Sequence, residues 1–196
     1  LVAGWHGRVV AEEDGERVED RRHRVAAMSV PGSARRVNGC SELAGPRRFG
    51  RHSGAMRDPI WLTSERLGLR RFTPDDFELL LVLCQDPEIN RFTGGPKSRE
   101  KVEELLKGRI LAYYDEHPGL GIWAGVELAT GKITGMHLLN HLHGESDIQV
   151  GYVMFKEFWG RGYATEMAAR ILRYGFADLK LPQIVAITDL PHVMSQ

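Results

Sequence analysis

The stretch VGYVMFKEFWGRGYATE, residues 150–166, places two closely spaced glycines between a predicted strand and a predicted helix. Residues 147–155 show the alternation of a strand, and residues 163–173 carry apolar side chains at helical spacing. Gly160 and Gly162 fall between them, where glycine permits positive φ and lets a ligand approach the backbone closely. Because the first amides of a helix lack internal partners, this junction predicts an anion-binding site.

Two other phosphate-binding motifs fit the junction less well. A dinucleotide-binding fingerprint needs a third small residue, but Thr165 and Glu166 occupy that zone, and Asp178 falls short of the acid expected about 20 residues on. A Walker loop needs a Gly-Lys-Ser/Thr triplet, which the sequence does not contain. The pattern that remains is Gln/Arg-x-x-Gly-x-Gly/Ala, with Glu157 in its first position.

This loop resembles that of the GNAT superfamily of acetyl-CoA-dependent N-acetyltransferases. The resemblance is strongest to the branch that includes the ribosomal-protein N-terminal acetyltransferases, in which a strand runs through Phe-Trp-Gly-x-Gly-Tyr-Ala-Thr-Glu into a helix. The sequence LTSERLGLRRF, residues 62–72, also looks like the opening of that branch. The resemblance covers about residues 60–195, and it departs from the superfamily at Glu157, where Gln or Arg is usual.

The fold implied by the resemblance is α/β, with a GNAT-like mixed, mostly antiparallel central sheet flanked by helices. The residue pattern agrees with this fold. Thr73 and Pro74 predict the start of a first helix, and a second amphipathic run follows Ser98. Further strands are predicted at residues 121–128, 132–142 and 183–188.

The composition divides the chain of 196 residues into two parts. Residues 1–55 are rich in Arg, Gly and Glu without useful periodicity, which predicts a disordered or non-native N-terminal extension. Residues 56–196 form the predicted GNAT-like acetyltransferase domain. Acidic runs such as residues 12–14 interrupt the arginines and the net charge is zero, so we predict no nucleic-acid partner. No segment is typical of a secretory signal or a membrane span, and Cys40 and Cys84 form no motif; we therefore expect a cytoplasmic protein.

At the C-terminus, the resemblance implies that the domain is incomplete. The chain stops in the loop after the strand at residues 184–188, so the last helix and strands of the family would be lacking. An exposed strand edge is a template for pairing with another chain. We therefore expect an open edge on this strand and self-association through it.

The activity implied by the resemblance is transfer of an acetyl group from acetyl-CoA to a primary amine, either a protein N-terminus or a small amine. A backbone N–H near the end of the strand polarises the thioester carbonyl in the family, and the loop amides hold the pyrophosphate, with Arg161 adding positive charge. The matching residues are Val153, Met154 and Phe155 on the strand, and Trp159, Gly160, Arg161, Gly162, Tyr163 and Ala164 in the loop.

The proton acceptor is predicted among two residues before the loop. Asp147 is the best carboxylate, although an exposed aspartate at a strand end is the ordinary alternative. Gln149 stands where many relatives carry Glu, and its amide would hydrogen-bond substrate or water. Because an amide cannot take a proton, and because the final helix would be missing, the alternative function is a non-catalytic acyl-CoA-binding or interaction module, or an inactive truncated enzyme.

Three histidines, His137, His141 and His143, are candidates for a metal site or for the lining of an acceptor pocket. No cysteine or pair of carboxylates completes a ligand set around them, so we predict no metal.

Overall fold

The computed structural model of the chain describes residues 6–8, 23–29, 59–142 and 145–189. Eight strands in these ranges form one sheet. They are β1 His6–Arg8, β2 His23–Ser29, β3 Leu62–Thr63, β4 Leu67–Arg71, β5 Gly121–Glu127, β6 Ile133–His141, β7 Ile148–Met154 and β8 Gln183–Asp189. Their order is β1-β2-β8-β7-β6-β5-β4-β3, and every pair is antiparallel except β7 and β8. The predicted mixed, mostly antiparallel α/β fold is therefore confirmed.

Four α-helices accompany the sheet among the described residues. They are α1 Phe77–Gln85, α2 Arg99–Glu104, α3 Tyr113–Glu116 and α4 Tyr163–Ala177. A π-helical segment, Leu105–Leu111, joins α2 to α3, so the second amphipathic run is one helical stretch that changes its winding. The first helix begins later than predicted. A 3-10 turn, Pro74–Asp76, precedes it, and the Asp76 carboxylate accepts hydrogen bonds from the backbone N–H and hydroxyl of Thr73.

Helix α4 packs on the sheet beside β6, β7 and β8. It is the crossover that the parallel pair of β7 and β8 requires, because parallel neighbours cannot be joined by a tight turn. Its side chains Met167 and Ile171 are fully buried, as are Leu139 on β6 and Ile184 on β8. At Gly175 the packing is so close that a Cβ atom would lie 2.6 Å from Ile184 Cδ1. Helix α4 is therefore closely packed on the sheet.

Two strands lie inside the range predicted to be disordered. β2 pairs with β8 along the whole strand, from His23 opposite Asp189 to Ser29 opposite Gln183, and β1 pairs with β2. These two segments are strands in the structure because each finds a strand edge that periodicity within its own sequence does not reveal. The disordered or non-native extension over residues 1–55 stays a prediction. The remainder of residues 1–55 lies outside the described residues.

The prediction of an open edge on β8 is wrong, because β2 pairs with that edge. The physical reason for self-association through that edge is thereby removed. The expectation of a missing final helix concerns the chain after Asp189, which lies outside the described residues.

Candidate active site

The junction between β7 and α4 has the backbone that its glycines predict. After β7 the chain makes a 3-10 turn, Lys156–Phe158, and α4 begins at Tyr163. Gly160 and Gly162 adopt φ angles of +72° and +75°, in the left-handed region that other residues seldom occupy. Gly162 precedes the helix directly, so the first amides of α4 are left without intrahelical acceptors, as at any helix N-terminus.

A cavity of about 440 Å³ opens beside this junction. One wall is the end of β7 together with the loop and the first turn of α4, and the opposite wall is the segment of residues 88–93 that follows α1. Lys156 holds the two walls together, because its Nζ lies 2.9 Å from Asp86 Oδ2 and 3.0 Å from Glu88 Oε2. The cavity thus lies between two walls tied by an ion pair and is bordered by the glycine loop.

Strands β7 and β8 are paired only in part. Within the described residues they pair at Gln149 opposite Val185, near the start of β7, and we call the unpaired stretch between the two strands the gap. On the other side, β7 stays paired with β6 along its length, and the Phe155 N–H donates to the Thr134 carbonyl at 3.0 Å. Because the bonds of an antiparallel ladder alternate, the Val153 N–H then also points toward β6 and the Met154 N–H points away from it.

Of the three strand residues predicted to contact the thioester, only Met154 therefore directs its amide toward the gap between β7 and β8. The carbonyl of the same residue lies on the same side of the strand, and it accepts a hydrogen bond of 2.9 Å from the Trp159 indole N–H. This bond fixes the indole at the rim of the cavity, although the side chain is 45% exposed.

Arg161 does not offer an isolated positive charge to the loop. Its guanidinium lies 3.6 Å from the Glu127 carboxylate, which also accepts a hydrogen bond of 2.6 Å from the Tyr163 hydroxyl. Hydrogen bonds from Thr130 and Tyr163 lower the pKa of Glu127, and the same bond from Tyr163 raises the pKa of that phenol. The charge of Arg161 is therefore partly balanced, and Tyr163 is held beside β5.

Arg66 and Glu166 border the site without being predicted from the sequence, although both lie in the stretches that resemble the family. The Glu166 carboxylate accepts hydrogen bonds from the Ser64 hydroxyl, at 2.7 Å, and from the backbone N–H and Nε of Arg66, at 2.8 and 2.7 Å. Burial alone would raise the pKa of Glu166, but the hydrogen bonds from Ser64 and Arg66 outweigh it and hold that pKa below its usual value. The first turn of α4 is thereby bound to the β3–β4 connection.

The two predicted catalytic residues lie at the other end of β7 from Met154. Asp147 is exposed and precedes the strand, and its carbonyl accepts a hydrogen bond from the Leu142 N–H. Gln149 is half-buried and lies where β7 meets β8. The structure therefore places Gln149 at the closed end of the gap and Asp147 just beyond it.

His137, one of the three histidines considered for a metal site or an acceptor pocket, is a buried titratable group. It lies on β6 opposite Tyr152, its side chain is fully buried, and desolvation lowers its pKa to about 4. Among the described residues, neither ring nitrogen has a hydrogen-bond partner, and the same holds for the buried Thr134 hydroxyl. Both groups lie against Gly125, where a Cβ atom would be 2.6 Å from Thr134 Oγ1 and 2.9 Å from His137 Nε2.

His141 is not brought together with His137 but packs beside α3. His141 Nδ1 lies 2.6 Å from the Tyr113 hydroxyl, and its ring is 4.7 Å from that of His117. His143 lies outside the described residues. In the part of the chain with described side chains, no group of three metal-ligating residues is present.

No helix in the described ranges combines the length and apolar character needed to cross a membrane.

Comparisons with known proteins agree with this architecture. Residues 66–196 match the family model described as "Acetyltransferase (GNAT) domain". The chain is 30% identical over 132 residues to the uncharacterized N-acetyltransferase YoaA of Bacillus subtilis, covering 64% of this chain and 72% of that protein. It is 27% identical over 137 residues to the FsC-acetyl coenzyme A-N(2)-transacetylase of Aspergillus fumigatus, covering 65% and 57%.

A solved structure is also similar. The crystal structure of an acetyltransferase from Agrobacterium tumefaciens superposes with a TM-score of 0.63 at 26% identity, and the match covers 74% of this chain and 83% of that one. The family model spans well over half of the sequence and includes the glycine loop, the strands around the cavity and helix α4. The chain therefore belongs to the GNAT family of acetyltransferases.

Proposed function

We propose that this acetyltransferase uses acetyl-CoA as its donor and a primary amine as its acceptor, and that the loop from Trp159 to Ala164 binds the pyrophosphate of acetyl-CoA. The observation that carries the proposal is the pair of left-handed glycines, Gly160 and Gly162, directly before the N-terminus of α4 at the mouth of the cavity. Such a terminus presents several amides and a partial positive charge, which suits a pyrophosphate.

The Met154 amide is our candidate for the donor to the thioester carbonyl. It points away from β6 toward the gap, and backbone amides aimed at a developing oxyanion are an effective source of catalysis. The Met154 carbonyl already accepts the Trp159 indole N–H. Acetyl-CoA would therefore hydrogen-bond to Met154 through the backbone N–H alone, and the Trp159 indole would form the adjacent wall of the cavity.

In the proposed reaction the amine nitrogen attacks the thioester carbonyl, the carbon–sulfur bond breaks as the amide forms, and CoA leaves as a thiolate that takes up one proton. The attacking amine must first lose a proton. Asp147 precedes β7 and Met154 ends it, so Asp147 remains our candidate acceptor for this proton only through a chain of water molecules, with Gln149 as a hydrogen-bonding group for substrate or water along that path. Replacing Asp147 with Asn should then lower kcat while leaving the dissociation constant for CoA unchanged.

The acceptor is either a protein N-terminus or a small amine. The likeness of the loop to the ribosomal-protein N-terminal acetyltransferases favours a peptide, and a panel of short peptides and polyamines would separate the two classes. An equal turnover of both classes would argue against selection for a peptide N-terminus.

The alternative is an acyl-CoA-binding module without catalysis, and one observation favours it. At the closed end of the gap stands the amide of Gln149, which cannot take a proton, while the Asp147 carboxylate is exposed beyond the strand. Such a module would bind acetyl-CoA but release no free thiol when amines are added. Detection of CoA release therefore separates the two functions.

Binding is tested by calorimetric titration of CoA into the wild type and into Gly162→Val. Valine would bring a branched side chain to the loop and would be strained at φ +75°. We expect the affinity for CoA to fall at least tenfold. Gly108→Val is the matched control, because a Cβ atom at Gly108 meets no neighbouring atom and the residue lies in the π-helical segment, which contributes no residue to the lining of the cavity. Equal affinities of Gly162→Val and wild type would contradict the proposed loop.

A further inference from the structure

Arg66 contacts the glycine loop from outside the site. Its Nη1 donates a hydrogen bond of 3.1 Å to the Arg161 carbonyl, and its guanidinium lies over the Tyr163 ring, 4.6 Å from the centroid. The remaining side of the guanidinium is bound to Glu166 through Nε. One side chain from β3–β4 thus reaches the loop before α4 and the first turn of the helix together.

The anchor for Arg66 is the Glu166 carboxylate. Glu166 Oε1 accepts from the Ser64 hydroxyl and from the Arg66 backbone N–H, while Oε2 accepts from Arg66 Nε. A carboxylate with three donors has little freedom, and the planar guanidinium leaves Arg66 little freedom in turn. The position of Arg66 Nη1 is therefore fixed by the hydrogen bonds that Glu166 accepts from Ser64 and Arg66.

The contact with the Arg161 carbonyl has a consequence for the next amide. A peptide unit is planar and trans, so its carbonyl and its N–H point in opposite directions. Holding the Arg161 oxygen against Arg66 therefore directs the Gly162 N–H away from Arg66. Gly162 lines the cavity, and a Cβ atom on it would still be 3.7 Å from Arg66 Nη2.

We propose that Arg66 is a positioning residue of the anion site, which holds the peptide between Arg161 and Gly162 so that the Gly162 amide faces the pyrophosphate of acetyl-CoA. The proposal rests on the proposed function of the loop. Arg66 itself touches neither the acetyl group nor the acceptor. Glu166 is the partner that keeps Arg66 in place.

The test compares Arg66→Lys, Arg66→Ala and Glu166→Gln with wild type. Lysine keeps the charge but cannot reach Glu166 and the Arg161 carbonyl with separate, fixed donors. Arg99→Ala is the matched control, because the Arg99–Glu78 ion pair has the same 2.7 Å separation as Arg66–Glu166 and a similarly exposed arginine. CoA and pantetheine are titrated into each protein, since pantetheine has the same arm without the pyrophosphate.

We expect Arg66→Ala to weaken CoA binding roughly tenfold, as expected for the loss of a charge-assisted hydrogen bond, and to change pantetheine binding by less than about twofold. Arg66→Lys should lie between wild type and Arg66→Ala, and Arg99→Ala should match wild type. In ¹⁵N spectra, the large shift of the Gly162 amide on addition of CoA to wild type should shrink in Arg66→Lys. If Arg66 only stabilised the fold, its replacement would weaken the binding of CoA and of pantetheine alike.

Two results would refute the role of Arg66 without refuting the proposed function of the loop. One is unchanged CoA affinity in both arginine variants, and the other is an equal loss of CoA and pantetheine binding. If Arg66→Ala does not fold, the affinities and the Gly162 shift of folded Arg66→Lys decide the question. Failure of the wild type to bind CoA would instead refute the proposed function of the loop, and the inference with it.

Discussion

Replacing His137 with leucine should remove a pH dependence of folding stability that the wild type shows between pH 7 and pH 4. His137 is fully buried, and desolvation lowers its pKa from 6.5 to about 4. The folded state therefore keeps the ring neutral at a pH where the unfolded chain already binds the proton. The contribution of the neutral ring to the free energy of unfolding is fully present above the pKa of His137 in the unfolded chain. It is lost as the pH falls toward the pKa of His137 in the folded protein.

The magnitude follows from the two pKa values. While only the unfolded state is protonated, stability falls by about 1.4 kcal/mol per pH unit. With a pKa of 6.5 in the unfolded chain and about 4 in the folded protein, the loss between pH 7 and pH 5 is about 2 kcal/mol. This is a large fraction of the stability of an ordinary domain.

The measurement is urea denaturation of wild type and His137→Leu at several values across this pH range. Carboxylates also titrate there, so the informative quantity is the difference in unfolding free energy between the two proteins at each pH. Thr134→Val is the control, because it removes the neighbouring buried hydroxyl without removing a titrating group. If the difference between wild type and His137→Leu does not change with pH, the ring is readily protonated in the folded protein and the reasoning is refuted.

Two further substitutions test the packing around the site. Gly135→Ala should destabilise the fold by more than about 3 kcal/mol, because φ is +146° and a Cβ atom would lie 2.2 Å from the Val153 carbonyl oxygen; Gly108→Ala, with open space around it, should be neutral or stabilising in the same urea titrations. Asp76→Asn should destabilise by about 3 kcal/mol, because it breaks a buried bidentate ion pair with Arg70, whose contacts are 2.7 and 2.6 Å; a thermal midpoint equal to that of wild type would contradict this estimate.

The elements around the loop could be predicted because their signals are local. Alternation within residues 147–155 and helical spacing after Gly162 identify β7 and α4, and the glycine pair marks the junction between them. Predicted positive φ at Gly160 and Gly162 is confirmed for the same reason, since only glycine adopts it readily.

The remaining features depend on partners that are distant in the sequence. Arg66 and Glu166 are 100 residues apart, and no periodicity connects them. β2 becomes a strand by pairing with β8, an edge that its own sequence does not reveal. The burial of His137 depends on the absence of a side chain at Gly125, on the neighbouring strand. A sequence pattern indicates which face of an element a residue lies on, but not what covers that face.

The partial pairing of β7 with β8 also has a mechanical consequence. Within the described residues the sheet is continuous from β3 to β7 and from β8 to β1, and the two parts pair at Gln149 and Val185. Helix α4 crosses this line and packs on both parts. Under mechanical load, the sheet should separate first between β7 and β8. The β8 amides near the gap should also exchange with solvent deuterium, through local opening, before those of β5 and β6. A ligand inserted in the gap would then slow exchange in β8, far from the loop that binds its phosphates.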